Sequence, residues 1–131
     1  MNEKVTGRDM VTDMARSMFP HGHPAFTKIS IDEMELHSRK NNDYARGGNP
    51  LGNFERVASI LANYPHLNLG DPRVVALTYA LKQLDATLNM LSQGYEGNVE
   101  SMYERLADVA VYTKIVMCML LDKQEDSKGN A

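Results

Sequence analysis

"DPRVVALTYALKQLDATLNMLSQG" occupies residues 71–94. Asp71-Pro72 reads as a helix start, an acceptor side chain followed by a ring whose φ is already helical. Gln93-Gly94 reads as the stop, because glycine takes the left-handed turn that ends helices. Between them Leu77, Leu81, Leu84, Leu88 and Leu91 recur at steps of four and three, close to a heptad seam. The stretch predicts one long helix to about Ser92, with a leucine line for bundle packing.

The same signals recur outward from it. Residues 98–122 carry Val99, Met102, Leu106, Val109, Thr113, Val116 and Leu120 at helical spacing. The run VAVYTKIVMCMLL is apolar nearly all round, which predicts burial or an oligomer interface. Asn49-Pro50 predicts a second cap-plus-proline start, with Leu51, Phe54, Val57, Ala58 and Leu61 forming the core stripe behind it. Ser30 and Glu33 have capping-box spacing, which predicts a helix from Ser30 to about Asn41. An N-terminal helix is expected over Arg8–Met18, with Met10, Val11, Met14 and Met18 on one side. FPHGHP then stops it. The segment from Lys123 onward reads as a frayed polar tail.

No strand pattern emerges. The expectation is an all-α protein, a four-helix bundle with an N-terminal helical arm. Residues 1–29 form the arm, 30–122 the helical domain and 123–131 a flexible tail. The length of 131 residues favours one domain. The net charge of −3 offers no basic field, which argues against a nucleic-acid duplex as partner. No apolar run approaches the roughly 18 residues that span a bilayer, and no signal-peptide pattern opens the chain. The single cysteine, Cys118, favours a reducing, cytoplasmic setting.

The polar residues are less uniform. Thr78, Lys82, Asp85 and Asn89 share one flank of the leucine helix. They read as a solvated flank with a Lys82–Asp85 surface pair, or as part of a site. Glu100, Glu104 and Asp108 follow at steps of four, on a side that turns apolar at Val111 and Ile115. A half-buried carboxylate there needs a partner. It is met either by a salt bridge to Lys82, Arg105 or Arg56, or by Mg²⁺ held with phosphate oxygens. HSRKNNDYARGGNPLGNF, residues 37–54, places amides, charges and the aromatics Tyr44 and Phe54 beside a Gly47-Gly48 break. The aromatics read either as core plugs or as stacking surfaces for a base. His21 and His23 are loop histidines, or a metal pair short of ligands.

Three segments, KNNDYARGGNPLGNF (40–54), YALKQLDATLNMLSQG (79–94) and VESMYERLADVAVYTKI (99–115), together resemble small, mostly phage-encoded nucleotide-modification-associated proteins. These in turn are similar to the all-α NTP pyrophosphatase superfamily of MazG-like and dimeric dUTPase-like enzymes. The resemblance covers about residues 30–122. It implies a nucleotide or cyclic nucleotide between helices, Mg²⁺ on acidic side chains and a homo-oligomer. Carried over residue by residue, it implies nucleotide binding by Lys40, Asn41, Asp43, Tyr44, Asn53, Lys82, Asp85, Arg105, Tyr112 and Lys114. It implies metal binding by Glu104 and Asp108. The superfamily's E-E-x-x-E pattern on an early helix is missing: only Asp32, Glu33 and Glu35 stand there, and Glu33 and Glu35 diverge by about 200° around the axis. Nucleotide binding is therefore the leading expectation, with Mg²⁺-dependent phosphate hydrolysis as its enzymatic branch. The other two readings are a non-catalytic sponge that sequesters a nucleotide second messenger against host defence, and a structural oligomerisation protein.

Overall fold

The computed structural model describes residues 6–46 and 48–129, and every regular element among them is an α-helix. In order these are α1 Gly7–Met18, α2 Phe26–Ala45, α3 Gly52–Leu61, α4 Pro72–Gln93 and α5 Met102–Gly129. Residues 1–5, Gly47 of the expected break, Asn130 and Ala131 lie outside the described residues. The chain divides into two compact units, one up to Arg39 and one from Lys40 onward. No described helix is long and apolar enough to cross a membrane.

In the first unit, Thr6 caps α1 through a reciprocal pair. The Asp9 N–H donates to Thr6 Oγ1 at 3.1 Å and the Thr6 N–H to Asp9 Oδ2 at 3.1 Å. Arg8 pairs with Asp32 and, at 2.8 Å, with Glu35. The methionine side of α1 stays exposed, and α1 buries no residue. The Ser30 cap is overturned. α2 begins at Phe26, so Ser30 stands in its second turn and has no free helix N-terminus to satisfy. The turn before α2 is instead held by His23, whose Nδ1 accepts the Ala25 N–H at 3.1 Å.

α2 also outruns its expected end at Asn41. Asp43, Tyr44 and Ala45 form its last turn, and Arg46 takes the left-handed position with φ 44°. The Gly48 N–H then returns to the Ala45 carbonyl at 2.8 Å. α3 starts at Gly52, two residues beyond the proline. Asn49 Oδ1 accepts the Leu51 N–H at 3.0 Å, an Asx turn leading into the helix rather than its N-cap. α5 starts at Met102, not Asn98, and remains helical through the expected tail to Gly129.

α4 starts and stops where its punctuation indicates: Asp71 accepts the Arg73 N–H at 2.9 Å, and Gly94 ends the helix at φ 72°. The Arg73 guanidinium, and then its N–H, hold the Asp71 carboxyl down from the ordinary 3.8 to about 2. A carboxyl depressed by folding stabilises the fold above its unfolded value and loses that contribution as pH falls through its folded value. Asp71→Asn keeps a cap and deletes the ion pair. The melting-temperature gap between wild type and this variant is expected to be constant above pH 5 and to close between pH 4 and pH 2. A gap unchanged across that window in melts followed by circular dichroism would refute the linkage.

The packing surfaces differ from the expected seams. α4 packs on α5 and on α3. α4 buries Ala76, Ala80, Gln83, Thr87 and Met90, a 4-3-4-3 line one residue out of phase with the leucines, together with Asp85 and Ala86. Leu77, Leu84, Leu88 and Leu91 remain 43%, 38%, 57% and 62% exposed. Small residues let helix backbones approach closely, and α4 spends that advantage on α5. Of the expected α5 seam only Val116 is buried, while Leu106 and Leu120 stay exposed. In α3, Val57 is buried beside Gly52 and Asn53, whereas Phe54 points outward and plugs no core.

Candidate functional site

Three of the largest fully buried side chains are Arg105, Met90 and Asp43, so the second unit is centred on a charge pair as much as on apolar packing. Asp43 comes from the last turn of α2 and is 1% exposed. Its carboxylate accepts the N–H groups of Asn98 at 2.7 Å, Val99 at 2.6 Å and Glu100 at 3.1 Å. Three successive amides form a concave anion seat, and Asp43 fills it. The Tyr95 hydroxyl donates to the Asp43 carbonyl. Both acceptors of Asp43 therefore pin the connection between α4 and α5. Gly97 lies in that connection, where a Cβ would stand 2.1 Å from the Glu100 carbonyl oxygen and 3.1 Å from Asp43 Oδ2.

Arg105, from the first turns of α5, is also 1% exposed. Its Nη1 donates to Gln83 Oε1 at 2.7 Å and to the Tyr44 hydroxyl at 3.2 Å, and lies 3.3 Å from Glu100 Oε2. Its Nη2 stands 4.0 Å from Asp43 Oδ2. The guanidinium carbon sits 4.6 Å from the Tyr44 ring centre, and the exposed Lys82 ammonium is 5.6 Å from the same centre. Gln83 passes the connection on: its Nε2 donates to Asp108 Oδ2 at 2.8 Å and to Glu100 Oε1 at 3.4 Å. Arg105 Nε has no partner among the described residues, an uncommon state for a buried donor.

A second clasp lies between α3 and α4. Arg56 grips Asp85 with two bonds, Nε to Oδ1 at 2.8 Å and Nη2 to Oδ2 at 2.9 Å. Asn53 Nδ2 donates to Asp85 Oδ2 at 2.8 Å and to the Lys82 carbonyl at 3.3 Å. The Asp85 bonds raise the Arg56 pKa above its ordinary value. The expected Lys82–Asp85 surface pair is replaced by this buried one, since Asp85 is 8% exposed and Lys82 turns to Tyr44.

Asp43, Tyr44, Lys82, Arg105 and Asp108 thus belong to one connected cluster, and Asn53 and Asp85 adjoin it through the clasp. Asn41 sits at its edge, donating to the Pro50 carbonyl at 3.4 Å. Tyr112 instead packs edge-on against Tyr79, with ring centres 5.7 Å apart. Lys40, Lys114 and Glu104 are exposed, and no side-chain bond among the described residues ties them to the cluster. Among the described residues no three His, Cys, Asp or Glu side chains converge as a metal would require. Gln83 and Tyr95 carry much of the geometry, and sequence reasoning assigned neither a role. Asn89 joins them from α4, donating to the Tyr44 carbonyl at 2.8 Å and the Tyr95 hydroxyl at 3.3 Å.

Beside the cluster opens a polar hollow of about 380 Å³. Asn42, Arg46, Tyr95, Glu96 and Asn98 line it, with the Arg46 guanidinium carbon 5.0 Å from the Tyr95 ring centre. Comparison of the chain with protein-family models, curated proteins and solved structures finds no match.

Proposed function

We propose that the second unit binds a nucleotide or nucleoside phosphate, and that binding rather than cleavage is its primary activity. The observation that carries the reading is the cluster around Arg105. The three segments that resemble nucleotide-handling proteins, 40–54, 79–94 and 99–115, meet in it through polar bonds rather than through an apolar core. A buried ion pair is often no more stabilising than apolar residues of the same volume, so a charged centre is poorly explained by stability alone. Ligand chemistry follows from what remains unspent. Lys82 offers a cation to phosphate, Tyr44 a ring, and the adjoining hollow has the volume of a small-molecule site. Asp43, Asn53 and Asp85 are engaged in holding the fold and serve the ligand by positioning.

Mg²⁺ fits only in part. Asp108 has one oxygen occupied by Gln83, and Glu104 stands one turn before it. Two carboxylates suit an ion that takes its remaining ligands from phosphate and water. When bound, the ion would neutralise phosphate charge. In this reading Glu104 and Asp108 would hold the ion only together with nucleotide phosphate oxygens. The shortage of acids is what places a sponge-like, anti-defence role in a phage-infected cytoplasm ahead of a hydrolase. A four-helix bundle with residues 1–29 as a helical arm, and a homo-oligomeric state, belong to the same reading.

The test is a panel of canonical, modified and cyclic nucleotides, with and without Mg²⁺, followed by thermal shift and product chromatography. At least one nucleotide is expected to raise the melting temperature, further with Mg²⁺, while Mg²⁺ alone leaves it unchanged. No shift with any member at millimolar concentration would end the proposal. A new product would move the reading to the hydrolase.

A further inference from the structure

α2 ends in a conformation that its sequence does not favour. Arg46, the residue after its last turn, takes φ 44°, a left-handed position that residues with a Cβ rarely adopt and glycine takes without strain. Gly47 and Gly48 follow at once, yet arginine stands at the left-handed position. There its guanidinium carbon lies 5.0 Å from the centre of the Tyr95 ring, within cation–π range. The ring is itself held, since the Tyr95 hydroxyl donates to the Asp43 carbonyl and accepts from Asn89 Nδ2 at 3.3 Å. The guanidinium has no hydrogen-bond or ion-pair partner among the described residues. It faces the hollow of about 380 Å³, and every residue lining that hollow belongs to the unit from Lys40 onward. Asn42, one turn before Arg46, and Asn98 bring side-chain amides that are likewise unengaged among the described residues. Glu96 brings the opposite charge. Its Oε1 accepts the Met102 N–H at 2.6 Å and the Gly97 N–H at 3.3 Å, which leaves Oε2 unspent. Arg46 and Glu96 thus line one hollow without pairing to each other.

We propose that this hollow binds a sugar phosphate. Arg46 grips the phosphate, Glu96 accepts from the sugar hydroxyls, and the amides of Asn42 and Asn98 orient the group between them. A guanidinium fork matches a phosphate with two parallel bonds, and one already stacked on a fixed ring loses little freedom in doing so. An ionised carboxylate only accepts, so a ligand that reaches Glu96 must bring donors, as a sugar does. No aliphatic side chain lines the hollow, which gives an apolar ligand nothing to cover. Its volume stands at the small end of the range for ligand pockets, which suits one sugar phosphate. The choice of a sugar phosphate over a zwitterionic amino acid, which carries complementary charges too, rests on the nucleotide reading, in which the ribose phosphate is the part held here. Tyr95 and Asn98 are both bonded to Asp43, through its carbonyl and its carboxylate, so the hollow is built onto the Arg105 cluster.

Calorimetric titration of ribose 5-phosphate into the full chain tests this, beside melting curves, with inorganic phosphate, ribose and the amino acid alanine as comparison probes. Wild type is expected to bind ribose 5-phosphate more tightly than any of the three. Arg46→Gly is expected to weaken ribose 5-phosphate at least about tenfold, as loss of a charged hydrogen bond does. Its melting temperature is expected to be unchanged or raised, because glycine relieves the left-handed strain. An arginine that only staples the helix end would give the reverse, a lower melting temperature with affinity intact, and would overturn the proposal. Glu96→Gln keeps an oxygen for the Met102 N–H and turns an NH₂ group to the hollow. It is expected to weaken ribose 5-phosphate but to strengthen inorganic phosphate, since a hydroxyl acceptor and a repelling charge are both removed. Nucleotides from the panel that bind equally well to wild type and Arg46→Gly would overturn the hollow and leave the nucleotide reading standing. Ribose 5-phosphate bound through Arg46, with no nucleotide bound, would uphold the hollow and end the nucleotide reading. Alanine bound more tightly than ribose 5-phosphate, or no binding of ribose 5-phosphate at millimolar concentration, would overturn the proposal.

Discussion

Asp43→Ala is expected to lower the unfolding free energy by about 3–5 kcal/mol, the range for deleting one partner of a buried ion pair. The substitution strands three backbone N–H donors, those of Asn98, Val99 and Glu100, and removes the carboxylate nearest Arg105 Nη2. Stranded donors cost their full desolvation, which is why the loss exceeds that of an exposed pair. Set against a typical total of about 5–15 kcal/mol, such a loss leaves a marginal fold. Urea unfolding measures it, as a fall in midpoint with an unchanged slope. A loss below about 1 kcal/mol would mean that water or other groups readily replace the carboxylate.

Gly97→Ala is expected to cost about 2–4 kcal/mol through strain and a broken hydrogen-bond network. The new Cβ would stand 2.1 Å from the Glu100 carbonyl oxygen, a backbone atom that cannot swing aside as a side chain can. The connection must move, and moving it takes the amides away from Asp43. The two substitutions damage one structure, so their costs are expected to be non-additive. In Asp43→Ala/Gly97→Ala the total should fall at least about 1 kcal/mol short of the sum, as coupled neighbours do. Full additivity in urea titrations of the two single variants and the double variant would separate Gly97 from the Asp43 seat.

The physical character of the signals explains what was legible in the sequence. Helix existence was, because apolar periodicity and the Asp71-Pro72 and Gly94 punctuation of α4 are local. Boundaries were not, where a tertiary bond competes with a local one. α2 runs past Asn41 because its last turn delivers Asp43 to the amides of residues 98–100, some 55 residues away in sequence. The Ser30-x-x-Glu33 match carried no information about position, since polar residues at that spacing also occur inside helices. The core-facing line of α4 was misassigned because two heptad lines run side by side. The leucines carry the stronger apolar signal, while Ala76, Ala80, Gln83, Thr87 and Met90 keep the same period with mixed and mostly less apolar side chains. The signal that marks the buried line, and Gln83 with it, is this second set of residues at the same period, led by Ala76 and Ala80.

Of the candidate residues, proximity was legible only in part, since Lys40, Glu104, Tyr112 and Lys114 stand apart from the cluster. Asp43, Tyr44, Lys82, Arg105 and Asp108 were singled out, and they share one cluster. Their partners were not legible, because a hydrogen bond between Gln83 and Asp108 or between Tyr95 and Asp43 leaves no periodic trace. Asp85 illustrates the limit. Lys82 at i−3 made a plausible local pair, whereas the long-range Arg56 fork wins by geometry, two parallel bonds to one carboxylate.

The most direct test of nucleotide binding is calorimetric titration of the best nucleotide from the panel, with Mg²⁺, into wild type, Asp108→Asn and Lys82→Met, beside their melting curves. Asn at 108 still presents an amide oxygen to the Gln83 N–H, so the fold is expected to persist while Mg²⁺-dependent affinity is lost. Lys82→Met keeps the apolar stem and deletes the cation. Its expected cost is about 1.5–3 kcal/mol of binding, roughly ten- to a hundredfold in affinity, with little change in melting temperature. Wild-type affinity in both variants, with lowered melting temperatures, would contradict the account and assign both residues to the scaffold.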